Sequence, residues 1–150
     1  MENLKNFLDG QEIISIATQK DAEIWSASAY YVTDDKLNMY FISQKGSKHS
    51  QMLLKNPNLA FSVAWCDPKS HKNRKGVQGT GVCRIAKTPA ELSTALKLML
   101  KTFPDLKSIL TVKWIMENAW GSKIWVIKPK YMKYWDDEIY GDDESEEFNI

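Results

Sequence analysis

Residues 24–33, IWSASAYYVT, decide the fold. Side chains alternate along them: Trp25, Ala27, Ala29 and Tyr31 take one face, and Ser26, Ser28, Tyr30 and Val32 the other. A period of two belongs to a strand and not to a helix. On the N-terminal side, Gln19-Lys20-Asp21-Ala22 reads as a polar turn and Glu12–Thr18 (EIISIAT) as a β-branched, apolar strand. On the C-terminal side, Asp34-Asp35-Lys36 is a second turn and Leu37–Ser43 (LNMYFIS) a third strand. Strands joined by short polar turns predict an antiparallel meander.

The pattern extends outward in both directions. Asn3–Asp9 is an amphipathic helix with Leu4, Phe7 and Leu8 on one face. Gly46 breaks the meander, and Ser47 opens a helix that runs to Lys55 and stops at Asn56-Pro57-Asn58. Leu59–Trp65 is a fourth strand, Cys66–Lys75 a polar, basic loop, and Gly76–Ala86 a fifth strand whose glycines mark a bulge or a close backbone approach. Thr88 and Pro89 start a helix from Ala90 to about Lys101, followed after Phe103-Pro104 by a second helical stretch from Leu106 to about Ala119. Ser122–Lys128 is a sixth strand, and beyond Pro129 the segment Tyr131–Trp135 reads as a short edge strand. The expected fold is mainly β: antiparallel strands closed into a small barrel with flanking helices. Residues 1–135 form its single domain, and 136–150 an acidic, mobile tail.

Composition bounds the function. The 150 residues are 43% hydrophobic and 26% charged, a globular balance. No apolar run approaches the roughly 18 residues of a membrane span, and Met1–Asn6 lacks the basic start and apolar stretch of a signal peptide, so a cytoplasmic protein with no membrane partner is expected. Cys66 and Cys83 form no CxxC pair, and only two histidines exist, which leaves no basis for a metal site or a Ser–His–Asp triad. The net charge of +1 is uneven, because residues 136–150 hold eight of the nineteen acids and none of the twenty bases. The basic remainder fits an anionic ligand or a solvated lysine-rich surface. A nucleic-acid-binding barrel is the weaker reading, since the aromatics alternate within strands as core residues do.

Three segments could carry chemistry. In Ser43-Gln44-Lys45-Gly46-Ser47-Lys48-His49 a strand ends and a helix begins. The first N–H groups of a helix lack internal partners and attract anions. Lys48 adds a charge, and Ser43 and Ser47 add hydroxyls. A capped helix with surface lysines is the bland alternative. The small residues of Ser26-Ala27-Ser28-Ala29 leave room for a flat ring against the backbone, or are an ordinary barrel strand. Gln78 offers a donor and an acceptor from the fifth strand. The apolar residues Leu96, Met99, Leu100, Leu106, Ile109, Leu110, Trp114 and Ile115 read as core or dimer packing.

In the order WSASAYYV, LNMYFIS running into QKGSKHSQMLLKNPNLAFSV, GVQGTGVCRIA and IWVIKPKYMKYWD, these segments resemble the pyridoxamine 5′-phosphate oxidase-like family of flavin-binding split barrels, over residues 8–136. The likeness is to its small members and not to the oxidase itself. It implies a six-stranded antiparallel Greek-key barrel that binds flavin mononucleotide (FMN) at a homodimer interface, acting as an oxidoreductase on an unidentified small molecule. A non-catalytic flavin or small-anion carrier is the alternative, as is a relative using deazaflavin or haem. By the same resemblance, Ser47 and Lys48 hold the phosphate, with His49 where many relatives have lysine, and Ser43 reaches the phosphate or ribityl chain. Ser26, Ala27, Ser28 and Ala29 line the ring through their backbone, Gln78 reaches the ring or ribityl, and Trp125 or Trp135 supplies the partner subunit's contact. The ring strand lacks the oxidase's basic residues and the C-terminus lacks its arginine-containing substrate segment, so oxidation of pyridoxamine phosphate is not carried over.

Overall fold

The computed structural model describes residues 1–117 and 121–150, without the side chains of Val112, Ile115 and Met116. Helix α1 (Glu2–Asp9) precedes a hairpin of β1 (Ile13–Lys20) and β2 (Glu23–Thr33). Then come β3 (Met39–Gln44), α2 (Lys48–Lys55), β4 (Asn58–Trp65) and β5 (Lys75–Ile85). Helix α3 (Pro89–Thr102), a 3-10 turn (Pro104–Ser108) and α4 (Val112–Glu117) lead to the long β6 (Ser122–Asp136), α5 (Asp137–Tyr140) and β7 (Ser145–Asn149).

The strand order is β3-β2-β1-β4-β5-β6-β7, all neighbours antiparallel. A further antiparallel pairing of β3 with β6 closes β1–β6 into a six-stranded barrel. The turns follow from their side chains. Asp34 Oδ1 accepts the N–H groups of Lys36 and Asn38, each at 2.9 Å, which bends the chain between β2 and β3. Ile14, Ile16, Met39, Phe41, Val63, Trp125 and Ile127 fill the barrel, and Leu4, Phe7 and Leu8 of α1 join that core. The alternate residues Val32, Tyr40, Ile124 and Val126 face outward and pack with Ala95 and Met99 of α3 and with Leu110. Both faces of β3 and of the first half of β6 are therefore covered, which is why MYFI and IWVI are continuously apolar.

Three expectations are corrected here. The first concerns Pro129, which does not split the last strand: β6 runs unbroken from Ser122 to Asp136 between β5 on one side and β3, then β7, on the other. Proline has no N–H to give a ladder, and β5 accommodates it with a register shift between Thr80 and Gly81. The second concerns the acidic tail. It is built into the fold: β7 pairs with Tyr131–Trp135, and Phe148 is buried in the barrel cluster. Arg74 binds Asp137 and Asp143, each at 3.1 Å, and Lys75 binds Glu138 and lies 3.5 Å from Asp136. In the helical stretch, a 3-10 turn and a separate α4 replace the continuous helix from Leu106. Its end near Ala119 lies outside the described residues.

At Gly81 a Cβ would lie 2.6 Å from the Lys128 carbonyl oxygen and 3.0 Å from Pro129 Cα. Both are backbone atoms, which no side-chain rotation can move away. Gly81→Ala is expected to lower stability by about 1–3 kcal/mol, read as a lowered urea midpoint at unchanged slope. Thr88 and Glu91 form a capping box at the start of α3, and the Glu91 carboxylate also takes two bonds from Arg84, at 2.5 and 3.1 Å. The Arg84 bonds, opposed in part by burial, hold the Glu91 carboxyl down at about 2 from its ordinary 4.5. A depressed acid stabilises the fold above its ordinary pKa and loses that contribution as pH falls through the folded value. Between pH 4.5 and about 2, wild type should thus lose stability faster than Glu91→Gln, measured by denaturant titration across that range.

Candidate functional site

The site begins where the barrel opens. β2 and β3 pair over three residues only, Tyr31 with Phe41 through Thr33 with Met39. Beyond that point β3 stays with β6 as far as Gln44, while β2 stays with β1. The Tyr31 N–H donates to the Glu12 carbonyl across the β1 side at 3.0 Å. By strand alternation, Ser28 and Tyr30 turn their backbone N–H and C=O groups the other way, into the opening. A cleft of about 450 Å³ fills the wedge, with Ser28, Ala29 and Tyr30 on one lip and Ile42 and Ser43 on the other.

The Ser43 lip is polar. Ser43 Oγ lies 2.6 Å from His49 Nε2 and 3.3 Å from Ser47 Oγ. Ser47 Oγ lies 3.2 Å from the same nitrogen and 2.8 Å from Ser50 Oγ, whose side chain is buried. Ser47 is the N-cap of α2, but its hydroxyl makes no capping bond, because it turns to this cluster and to the Gln44 carbonyl. Burial pushes the His49 imidazole below its ordinary 6.5 and so favours the neutral ring. Trp125 fixes this lip from beneath: its Nε1–H donates to the Ser43 carbonyl at 3.2 Å, and its ring stacks with Phe41, with centroids 6.4 Å apart.

The far wall is apolar and helical. Met99, Phe103, Leu106, Ile109, Leu110 and Trp114 line it, and Phe103 meets Tyr30 edge to face at 5.4 Å. Sequence reading did not assign these six residues to the site, nor Tyr30, Tyr31, Ile42 and Ser50. Their helical spacing looks like core, and only the 3-10 turn after Pro104, which lays Leu106 and Ile109 along the opening, makes a wall of them. Ile115 was grouped with them, and its side chain lies outside the described set.

Of the residues singled out in the sequence, the structure brings together Ser28, Ala29, Ser43, Ser47 and His49. Six others lie elsewhere. Ala27 packs against the barrel core. Ser26 and Gln78 line a second hollow of about 470 Å³ on the outer sheet face. Trp135 stands beside Arg74, Lys133 and the folded acidic segment. Lys48 points away from the serine cluster: its Nζ is 2.5 Å from Glu23 and 4.4 Å from the Trp25 ring centroid. Trp125 is 0% exposed inside the barrel, which corrects its expected role as a contact offered to another subunit.

Comparison with known proteins agrees with this fold. A UPF0306 protein of Yersinia enterocolitica is 26% identical over 112 residues, 74% of this chain and 75% of that one. The haem-binding protein of Mycobacterium smegmatis superposes with a TM-score of 0.73 at 13% identity, covering 97% of this chain and 56% of that chain, little more than half its length. The FAD-binding protein of the same organism superposes with a TM-score of 0.67 at 16% identity, over 90% of this chain and 94% of that one. At these identities the two structures speak for the fold, a split barrel. Among the described residues no helix is long and apolar enough to cross a membrane. Residues 1–136 match the family described as pyridoxamine 5′-phosphate oxidase, and the chain belongs to that family.

Proposed function

We propose that the cleft at the barrel's split binds a flavin, FMN foremost, and that the protein works as a homodimeric oxidoreductase on a small molecule. One observation carries the reading: the free backbone edge of Ser28 and Tyr30 faces a hydroxyl cluster across an otherwise apolar wedge. A flat heterocycle with a polar edge and a polyhydroxyl, phosphorylated tail needs that combination. The backbone groups of β2 meet the ring's polar edge. The apolar wall from Phe103 to Trp114 covers the ring and keeps water off it. Ser43, Ser47 and the unbonded first N–H groups of α2 meet the phosphate. A bound flavin supplies the hydride chemistry, and the protein supplies binding, orientation and electrostatics.

Two features support a second copy of the chain as partner. The outer face of β1, β4 and β5 presents the small residues Ser15, Ala17, Ala60 and Ser62 beside Gln78 and Thr80, low enough for another subunit to approach. Ile13, Ile24 and Trp25 are large, exposed apolar side chains on the same hairpin. Lys48 plays a smaller part than the resemblance implies, because Glu23 and Trp25 hold it elsewhere. The apolar wall and the fold shared with a haem-binding protein favour haem as the second reading.

The test is a visible absorption spectrum of the purified protein, loaded with FMN and desalted. A retained flavin band is the expected outcome. A Soret band after haem loading with no retained flavin would replace the flavin reading, and no band from either would overturn both. Ser43→Ala should weaken FMN binding by about 1.5–3 kcal/mol, the worth of a hydrogen bond to a charged group. Lys48→Ala should weaken it by less than about 1 kcal/mol, both read by fluorescence titration. Light scattering is expected to give a dimer mass, and a monomer at all concentrations would remove the partner. Flavin that stays bound yet passes electrons to no acceptor would make the protein a carrier.

A further inference from the structure

Among the described residues, no lysine or arginine hydrogen-bonds to the hydroxyls of this lip. His49 donates or accepts there through Nε2, shared between Ser43 and Ser47 at 2.6 and 3.2 Å. Lys48, the adjacent cation on α2, is engaged with Glu23 and the Trp25 ring on β2. β3 contributes Ile42 and Ser43, neither of them ionisable, and Lys123 of β6 stands opposite Ser43 in the register. Tyr30 and Tyr31 of β2 line the cleft, the second with its hydroxyl donating to the Leu8 carbonyl. The helical wall of Met99, Phe103, Leu106, Ile109, Leu110 and Trp114 carries no ionisable group. A dianionic phosphate entering this lip meets hydroxyls and a neutral ring.

Resting on the flavin reading, we propose that His49 is a proton-linked specificity residue: it takes up a proton when a terminal phosphate seats against Ser43 and Ser47. The cleft thereby binds phosphorylated ligands more tightly as pH falls, and phosphate-free ones equally at all pH. The proton balance is simple. The free ring is neutral, because burial lowers its proton affinity. A phosphate dianion within hydrogen-bond reach favours the charged form, so the bound complex holds one proton more. Linkage then requires affinity to fall with rising pH between the free and the bound pKa, by at most about tenfold per pH unit for one proton.

The experiment measures dissociation constants of FMN and of riboflavin from roughly pH 6.5 to 8, where a phosphomonoester is mostly dianionic (second pKa near ~6). A parallel NMR titration follows the His49 ring with and without inorganic phosphate. The expected result is an FMN affinity that weakens by several-fold up to about tenfold per pH unit, a flat riboflavin affinity, and a His49 pKa raised by phosphate. His49→Lys should bind FMN more tightly at the upper end and without the slope, and His49→Gln weakly and without the slope. Equal slopes for both flavins, or a flat FMN curve, would overturn the proposal and leave the flavin reading standing. If neither flavin binds, the flavin reading falls, and a His49 pKa unmoved by phosphate would then overturn the proton uptake as well.

Discussion

Everything about the site depends on β3 being shared. A six-residue strand pairs along its whole length with β6 and over only three residues with β2. Its pairing with β6 closes the barrel, and the shortfall on the β2 side splits it. Buried backbone groups must find partners, and an open edge invites another chain. Here the edge of Ser28 and Tyr30 is neither paired nor left open to a strand. A helical segment from Met99 to Trp114 stands over it, too far for ladder bonds and near enough to enclose a cleft. The cleft is a consequence of how the barrel is closed and needs no distortion elsewhere.

That arrangement ties the site to the core through one side chain. Trp125 pairs with Phe41 in the register, stacks with it inside the barrel, and reaches the Ser43 carbonyl with its indole N–H. Loosening the core at this point would release the strand end that carries Ser43, and with it the hydroxyls that converge on His49. Rigid support of this kind is what lets small polar groups position a ligand at hydrogen-bond precision. The geometry of the polar cluster therefore rests on an apolar contact.

Much of this was legible in the sequence. The period of two in residues 24–33, the β-branched run of Glu12–Thr18 and the polar turns gave the meander, because side-chain alternation is local. The Gly46-Ser47 break marked the helix start for the same reason. The rest depends on tertiary placement. Pro129 reads as a strand breaker, and only the opposing glycine at position 81 lets β6 run through it. Residues 136–150 read as a solvated tail, because eight acids in fifteen residues outweigh one phenylalanine. Yet Phe148 enters the core cluster, and Arg74 and Lys75 offset the charge. Trp125 and Trp135 read as residues of two separate strands, whereas the structure puts them on one, where an even spacing that should place them on the same face is offset by a bulge between them.

The same folding of the acidic segment sets the electrostatics of the whole molecule. The basic body expected from residues 1–135 is partly neutralised where Asp137 and Asp143 meet Arg74, and Glu138 meets Lys75. Glu23 does likewise to Lys48. Exposed ion pairs are individually weak, so they matter less for stability than for where cations remain available. Around the cleft that leaves dipoles: hydroxyls, the N–H groups at the start of α2, and a neutral imidazole. Dipoles hold an anion without a permanent charge at the site, and they hold a neutral polyol nearly as well. A family site that relies on a lysine beside the phosphate selects for charge. One that presents His49 between two serines selects for charge only when the ring takes up a proton from solvent as the phosphate binds, and on the proposal made above its preference among ligands varies with pH.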